Sequence, residues 1–299
     1  MEYLVLGLVL LAGTLAPSNP LNLKAVEEKV LDMAPTSFDD QYQGCSRMME
    51  EELGELNRTE FTNNRVYADY WTQAAAEWQK RQGSVQKPPE LRTEHVVALL
   101  AYTLQEHQKR EFDAAVHEAG RSRREYLDKF HFKALHFLLT QALSILWDIQ
   151  LLRCQEVYMG VKGIRFTAQR QDIVRFGQFA SASFVKQFAI QFGNDTFFSV
   201  YTCYGGLIRN FAAFPDKQDV LIPPFERFEV TRINHVGKST YIRLESQDTF
   251  SNYNCEWVKE KRCQDQPCNF NAGRTIIGDP LPLWGLLLAA TALAATGGP

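Results

Sequence analysis

This sequence of 299 residues lacks several of the motifs that would assign it to a common functional class. Its formal net charge is only -3, so it has no basic excess of the kind that binds nucleic acid. It has no GxGxxG motif, no P-loop and no internal repeat, which argues against a Rossmann domain. No cysteines are spaced as CxxC and no histidine lies at zinc-ligand spacing, so we expect no metal site. Hydrophobic residues make up 45%, enough for one large globular domain or two small ones.

The two ends of the sequence differ from the globular part. Residues 1–20 contain an apolar run at 4–12 followed by small residues, which is typical of a secretory signal peptide despite the missing basic n-region. Residues 269–299 begin with small residues and end in an apolar stretch at 281–295, the pattern of a GPI-attachment signal. That stretch is shorter than the roughly 20 residues of a spanning helix. We therefore expect one extracellular domain over 21–268, anchored at the cell surface through GPI or, alternatively, freely secreted.

The cysteines and two sequons agree with this destination. There are six cysteines, and an even number in a secreted chain favours disulfides. Asn57-Arg-Thr and Asn194-Asp-Thr are glycosylation sequons. Both asparagines are therefore candidate glycan sites.

Helical and strand patterns occupy different halves of the sequence. Residues 37–150 have helical periodicity, and Gly120 ends one of the helical runs as a candidate C-cap. Within that half, the stretch RVYADYWTQAAAEWQKRQ places apolar residues at a spacing of four: Val66, Tyr70, Ala74 and Trp78. Residues 154–258 consist of short runs rich in β-branched and aromatic residues. Helices first and strands afterwards predict an α+β fold.

Three stretches in the β-rich half carry a resemblance to a known family. They are VYMGVKGIRF (157–166), RFGQFASASF (175–184) and FPDKQDVLIPPFERFEV (214–230). Together with SFDDQYQGC (37–45), they resemble the vertebrate arginine-specific mono-ADP-ribosyltransferases, and the similarity covers about 37–268. This implies the fold of the ADP-ribosylating toxins, in which a helical N-terminal half packs on a two-sheet β core. It also implies transfer of ADP-ribose from NAD to protein arginine side chains, without a metal.

The family's site consists of an Arg, a Ser and a Glu-x-Glu on three adjacent strands. Cleaving the nicotinamide–ribose bond builds an oxocarbenium-like cation, which a carboxylate stabilises as in glycoside cleavage. The second carboxylate orients the acceptor guanidinium. The Arg neutralises an NAD phosphate through a charge-assisted hydrogen bond, and the Ser positions the catalytic strand and the ribose.

This sequence departs from that pattern at two of the three elements. The Ser is present as Ser181, whereas Met159 stands where the family has Arg. Lys217 and Asp219 stand where the family has its two glutamates. The resemblance thus assigns catalysis to Ser181 and Asp219, and NAD binding to Met159, Ser181 and Tyr102. It assigns the acceptor loop to Phe211, Phe214 and Lys217.

We expect these departures to weaken the reaction. Losing a charge-assisted hydrogen bond costs about 1.5–3 kcal/mol, or roughly 10- to 100-fold. Lys162, Arg165 and Arg175 are possible replacement anchors for phosphate, and Glu226 and Glu229 are disfavoured as replacement acids because a solvated strand face is expected there. The first hypothesis is a transferase with weak activity. The alternatives are a cell-surface pseudoenzyme that acts as a binding protein, and residual hydrolysis of NAD.

The resemblance also implies a disulfide pattern. Cys45 would pair with Cys255 and Cys154 with Cys203, which leaves Cys263 and Cys268 to pair with each other.

Overall fold

The computed structural model describes residues 26–151, 153–215, 217, 219–265, 268 and 270. The predicted signal peptide and, apart from Phe270, the predicted GPI-attachment signal lie outside these residues. Within the described part, no helix has both the length and the apolar character needed to cross a bilayer.

The N-terminal half is helical, as predicted. Its helices are α1 (Ser46–Asn63), α2 (Arg65–Arg81), α3 (Thr93–Leu104), α4 (Glu106–Ala119), α5 (Arg123–Lys129) and α6 (Lys133–Ile149). Helices α3 and α6 are buried along most of their length, and they contact each other at the centre of the helical layer. In α2 the buried face includes Tyr67 together with the predicted Tyr70, Ala74 and Trp78, while Val66 is only partly buried.

Gly120 ends α4, but not in the left-handed conformation of a glycine cap. Its φ is -82°. A Cβ at this position would lie 2.2 Å from the backbone carbonyl of Ser37. The glycine is needed because the loop before α1 crosses the end of α4 at van der Waals distance, and the Phe38 amide donates to the Val116 carbonyl over 2.9 Å.

The C-terminal half supplies most of the strands. In chain order the elements are β1 (Glu27–Val30), which precedes the helices, then β2 (Gln155–Val161), β3 (Ile164–Thr167), β4 (Ile173–Val174), β5 (Ala180–Ala182), α7 (Lys186–Gln191), β6 (Thr196–Thr202), β7 (Gly206–Leu207), a 3-10 turn (Arg209–Phe211), β8 (Val220–Ile222), β9 (Glu226–Val236), β10 (Ser239–Thr249) and α8 (Glu256–Arg262). The predicted α+β class is confirmed.

Two main sheets form the β core. One has the strand order β2-β6-β10-β9-β4 and the other β5-β8-β7. A parallel pair, β1-β3, adds a small third sheet that the sequence did not predict. The main sheets meet where the backbones of Tyr158 and Ser183 exchange two hydrogen bonds of 2.8 and 3.0 Å. Apolar side chains of both sheets fill the space between them, including Val157, Phe198 and Val220.

Three disulfides crosslink the chain, and the first of them joins its two halves. Cys45–Cys255 connects the start of α1 to the start of α8, and Cys154–Cys203 connects β2 to β6. Cys263 pairs with Cys268. All three predicted pairings are confirmed. Closing the two long loops, Cys45–Cys255 and Cys154–Cys203, is worth several kcal/mol in the chain-entropy account.

A buried ion pair also ties the segment before α1 to the β half. The Arg175 guanidinium contacts the Asp39 carboxylate at 2.5 Å, and both side chains are fully buried. The same guanidinium donates to the backbone carbonyls of Met33 and Phe250.

Candidate functional site

The strands that carry the predicted site residues converge where the two main sheets meet. Strand β5 pairs with β8, so that Ala182 lies opposite Val220. The residue after β5, Ser183, is bonded through its backbone to Tyr158 of β2. Met159, the end of β5 and Asp219 at the start of β8 are therefore placed on three neighbouring strands.

Asp219 is fully buried, and its carboxylate binds three groups of its own chain. Oδ2 accepts hydrogen bonds from the Ser183 hydroxyl at 2.8 Å and from the Phe184 amide at 2.7 Å. Oδ1 accepts from the Arg209 guanidinium, with two nitrogens at 2.6 Å. The Arg209 side chain is 54% exposed, so the pair joins a buried acid to a cation at the surface.

The backbone holds Asp219 on both sides. Its amide donates to the Ala182 carbonyl over 3.0 Å, and its carbonyl accepts from the Ile208 amide over 2.9 Å. Arg209 follows directly in the 3-10 turn after β7. The short path from β7 through that turn brings the guanidinium to the acid.

Ser181 lies on the same face of β5 as Ser183, because side chains two residues apart in a strand point the same way. It stands opposite Leu221. Its hydroxyl is enclosed and has no hydrogen-bond partner within the described part of the chain. The acid thus contacts Ser183, which was not predicted as a site residue. The predicted Ser181 lies two residues earlier on the same face, and its hydroxyl is unpaired among the described residues.

Met159 offers no charge at the place of the family's arginine. It is partly buried against the apolar cluster between the sheets and pairs with Phe198 of β6. The next residue, Gly160, lies under α7, and a Cβ there would come within 2.2 Å of the Ala189 carbonyl. The position is closely enclosed on this side.

Two of the three suggested replacement anchors for phosphate already bind other groups of the protein. Arg175 is engaged with Asp39 in the buried ion pair. Arg165 donates to the Lys238 carbonyl and contacts Glu28 at 3.2 Å. Lys162 follows β2 and is exposed, so it remains the one of the three that is accessible to an anion.

The other predicted binding residues differ in exposure. Phe211 is buried in the core, whereas Phe214 is 52% exposed and Lys217 is exposed. Tyr102 is buried in α3, and its hydroxyl donates to the Phe179 carbonyl just before β5. Tyr102 therefore supports the strand that carries the serines and presents no open face to a nucleotide.

Glu226 is not on a solvated strand face, and that expectation was wrong. It is fully buried at the start of β9, and burial raises its pKa to about 7. Glu229 is partly exposed. The carboxylate of Glu226 accepts hydrogen bonds of 2.6 to 3.2 Å from two hydroxyls and two amides, which belong to Thr202, Ser246, Cys203 and Tyr204. It binds the end of β6 beside the Cys154–Cys203 disulfide and has a structural role.

The two sequons lie in different surroundings. Asn57 is inside α1 and partly buried, and its side-chain oxygen accepts a hydrogen bond from the Tyr67 hydroxyl. Asn194 is exposed in the turn between α7 and β6. Only Asn194 presents a free side chain to solvent.

Comparison with known proteins identifies the family. A sequence model described as "NAD:arginine ADP-ribosyltransferase" matches residues 31–252. The chain belongs to the NAD:arginine ADP-ribosyltransferase family. Its resemblance to the arginine-specific mono-ADP-ribosyltransferases is thereby confirmed, and NAD is the substrate of this family.

Relatives match over nearly their full length. The chicken erythroblast NAD(P)(+)–arginine ADP-ribosyltransferase is 49% identical over 289 residues, covering 95% of this chain and 96% of that protein. The human GPI-linked NAD(P)(+)–arginine ADP-ribosyltransferase 1 is 44% identical over 304 residues, covering 96% and 93%.

A solved structure confirms the fold. The eucaryotic mono-ADP-ribosyltransferase ART2.2 superposes with a TM-score of 0.67 at 36% identity, covering 76% of this chain and 98% of that one. Further structures of ART2.2 contain NADH or NAD, bound to variants in which one glutamate is replaced by alanine or isoleucine. In the described part of the present chain, no group of three potential metal ligands comes together.

Proposed function

We propose that this protein binds NAD beside β2, β5 and β8 at the cell surface, and that its transfer of ADP-ribose to arginine is weak. The observation that carries this proposal is the Asp219 carboxylate. The sequence resemblance assigns it to the family's catalytic position, and the chain's own Arg209 already binds it.

Binding of the dinucleotide is the part of the reaction that the departures affect least. ART2.2 variants that lack one glutamate still hold NADH or NAD, so in that protein binding survives the loss of a carboxylate. Met159 removes one charge-assisted hydrogen bond to phosphate. We therefore expect NAD affinity to fall by roughly 10- to 100-fold relative to a chain with Arg at this position, without being abolished.

The acceptor side is affected more strongly. An incoming guanidinium meets Arg209 on the acid and Lys217 where the family has a glutamate. Two like charges about 4 Å apart repel by roughly 4 kcal/mol near a protein surface. Asp219 is also shorter than glutamate, and a misplacement of about 1 Å costs roughly 100-fold.

Hydrolysis of NAD is the second candidate function. Cleavage of the nicotinamide–ribose bond needs a carboxylate to stabilise the cation, and Asp219 provides one. Water is uncharged and small, so the two cations that repel a guanidinium do not exclude it. In this route the nicotinamide–ribose bond breaks and neutral nicotinamide leaves. The water oxygen then bonds to the ribose carbon, and the proton that water loses is released to solvent.

The cell-surface placement rests on the two ends of the sequence and on the relatives. The human relative is named as GPI-linked, and residues 269–299 of this sequence have the pattern expected of a GPI-attachment signal. We expect a phosphatidylinositol-specific phospholipase to release the protein from transfected cells. Retention after that treatment would contradict the anchor.

One set of assays tests the function. The purified extracellular domain is titrated with NAD by calorimetry, and then incubated with labelled NAD and agmatine while nicotinamide release is followed. The wild type is compared with Met159→Arg/Lys217→Glu/Asp219→Glu and with a control, Lys80→Glu, on the exposed side of α2.

We expect the wild type to bind NAD and to label agmatine at least about 100-fold more slowly than the triple variant. Rapid labelling by the wild type would refute the weak activity. Absence of NAD binding in both proteins would refute the placement of the site. Nicotinamide release without labelling would establish hydrolysis.

A further inference from the structure

A cavity of about 600 Å³ lies on the free edge of β9, away from the candidate NAD site. Strand β4 covers β9 only at Phe228 and Glu229, and the cavity opens beyond them, beneath the loop that joins β3 to β4. Its volume is within the range of small-molecule sites, about 300–1,000 Å³.

The lining is basic. Arg170 comes from the loop and Arg232 from β9, and Gln169 and His235 add further polar groups. Within the described part of the chain, neither arginine forms an ion pair. By contrast Arg243, which lies opposite Arg232 on β10, contacts Glu156 and Glu245 at 3.3 Å.

The acidic residue of this loop, Asp172, forms a hydrogen bond within the loop itself. Asp172 accepts a hydrogen bond from the Gln169 amide at 2.6 Å. Both arginines therefore line one cavity without a carboxylate partner among the described residues. Arginine presents a planar fork of donors that matches the oxygens of phosphate and sulfate.

We propose that this cavity binds a phosphate or sulfate group, held by Arg170 and Arg232. The site is distinct from the NAD site because the strand order β2-β6-β10-β9-β4 puts β9 three strands away from β2. With strands about 4.8 Å apart, this separation is roughly 14 Å. The protein's net charge of -3 gives no general attraction for anions, so binding here requires the local cluster.

The test is calorimetry of the whole extracellular domain at low ionic strength with three probes. These are inorganic phosphate, inorganic sulfate and a heparin-derived hexasaccharide. We expect Arg170→Ala/Arg232→Ala to weaken binding at least 10-fold. Arg47→Ala/Arg124→Ala removes the same charge from helix surfaces and should change nothing.

Each result bears on the proposal. If the hexasaccharide binds much more tightly than free sulfate, the group comes from a sulfated glycan. If the two bind with equal affinity, the ligand is a small free anion. The proposal is overturned if the wild type binds none of the probes, or if the control pair weakens binding as much as the cavity pair. Circular dichroism melts establish that the variants are folded, and unchanged NAD binding in the cavity variants checks that the two sites are separate.

Discussion

Replacing Arg209 by glutamine is expected to destabilise the protein, because it leaves the Asp219 carboxylate buried without its counter-ion. Asp219 is fully buried and Arg209 is 54% exposed. Exposed ion pairs contribute about 0–1 kcal/mol, whereas removing one partner of a fully buried pair costs about 3–5 kcal/mol. This pair lies between those cases. We expect Arg209→Gln to lower the free energy of unfolding by about 1–3 kcal/mol.

A double-mutant cycle isolates the contribution of the pair. Urea unfolding with the disulfides intact is measured for Arg209→Gln, for Asp219→Asn and for the double variant. Because the double variant has no unpaired charge, it should be more stable than the sum of the single effects predicts, by about 1–2 kcal/mol. Arg124→Gln, at a side chain that is 91% exposed, is the control and should change the free energy by less than about 0.5 kcal/mol.

Two results would refute this reasoning. The first is an Arg209→Gln variant as stable as the control. The second is a cycle that is additive within about 0.5 kcal/mol, which is the behaviour of residues that do not interact. Either result would mean that the hydrogen bonds from Ser183 and Phe184, and not Arg209, are what stabilise the buried Asp219 carboxylate.

The remaining predictions concern Glu226, the two sequon asparagines and two glycines. Burial raises the pKa of Glu226 from 4.5 to about 7, so the stability it contributes is complete below about pH 4.5 and is lost as the pH rises through about 7. Glu226→Gln should therefore flatten this part of the stability profile in urea titrations from pH 4.5 to 8, and an unchanged slope would contradict it. Asn194→Gln should increase the gel mobility of protein secreted by mammalian cells before glycosidase treatment but not after it, whereas Asn57→Gln should leave the mobility unchanged in both cases. A shift for Asn57→Gln alone would reverse the assignment. Gly120→Ala should lower thermal stability, because its Cβ would lie 2.2 Å from a backbone carbonyl, with an overpacking cost of about 1–3 kcal/mol. Gly54→Ala, in the middle of α1 with nothing within 4 Å, should instead raise stability by about 0.5–1 kcal/mol.

The sequence predicted the class of the fold because periodicity is a local property. Apolar spacing in α2 identified Tyr70, Ala74 and Trp78, and only the edge of the buried face shifted, to include Tyr67. Glu226 shows the limit of this reasoning. A glutamate after two prolines predicts a solvated residue, but its burial depends on donors from β6 and β10 that only the folded sheet brings together.

In the candidate site, too, some features could be predicted from the sequence and others depend on the folded structure. Motif resemblance placed Met159, Ser181 and Asp219 on neighbouring strands, and the structure brings those strands together. The partners of Asp219 were not predicted. Strand alternation could have identified Ser183, because it shares a face with Ser181. Arg209 could not be found in this way, because it lies ten residues before the acid and reaches it only through the 3-10 turn.

The departures from the family's motif act on two separable steps, and kinetics should separate them. Met159 concerns the phosphates of NAD, so Met159→Arg alone should tighten NAD binding by roughly 10- to 100-fold with little change in the rate of the bound complex. Lys217→Glu/Asp219→Glu concerns the cation and the acceptor, so it should raise kcat for transfer while leaving NAD affinity nearly unchanged. Stopped-flow NAD binding and steady-state labelling of agmatine measure the two effects. If Met159→Arg raised kcat and left binding unchanged, Met159 would belong to the chemical step and its assignment as a lost phosphate anchor would be wrong.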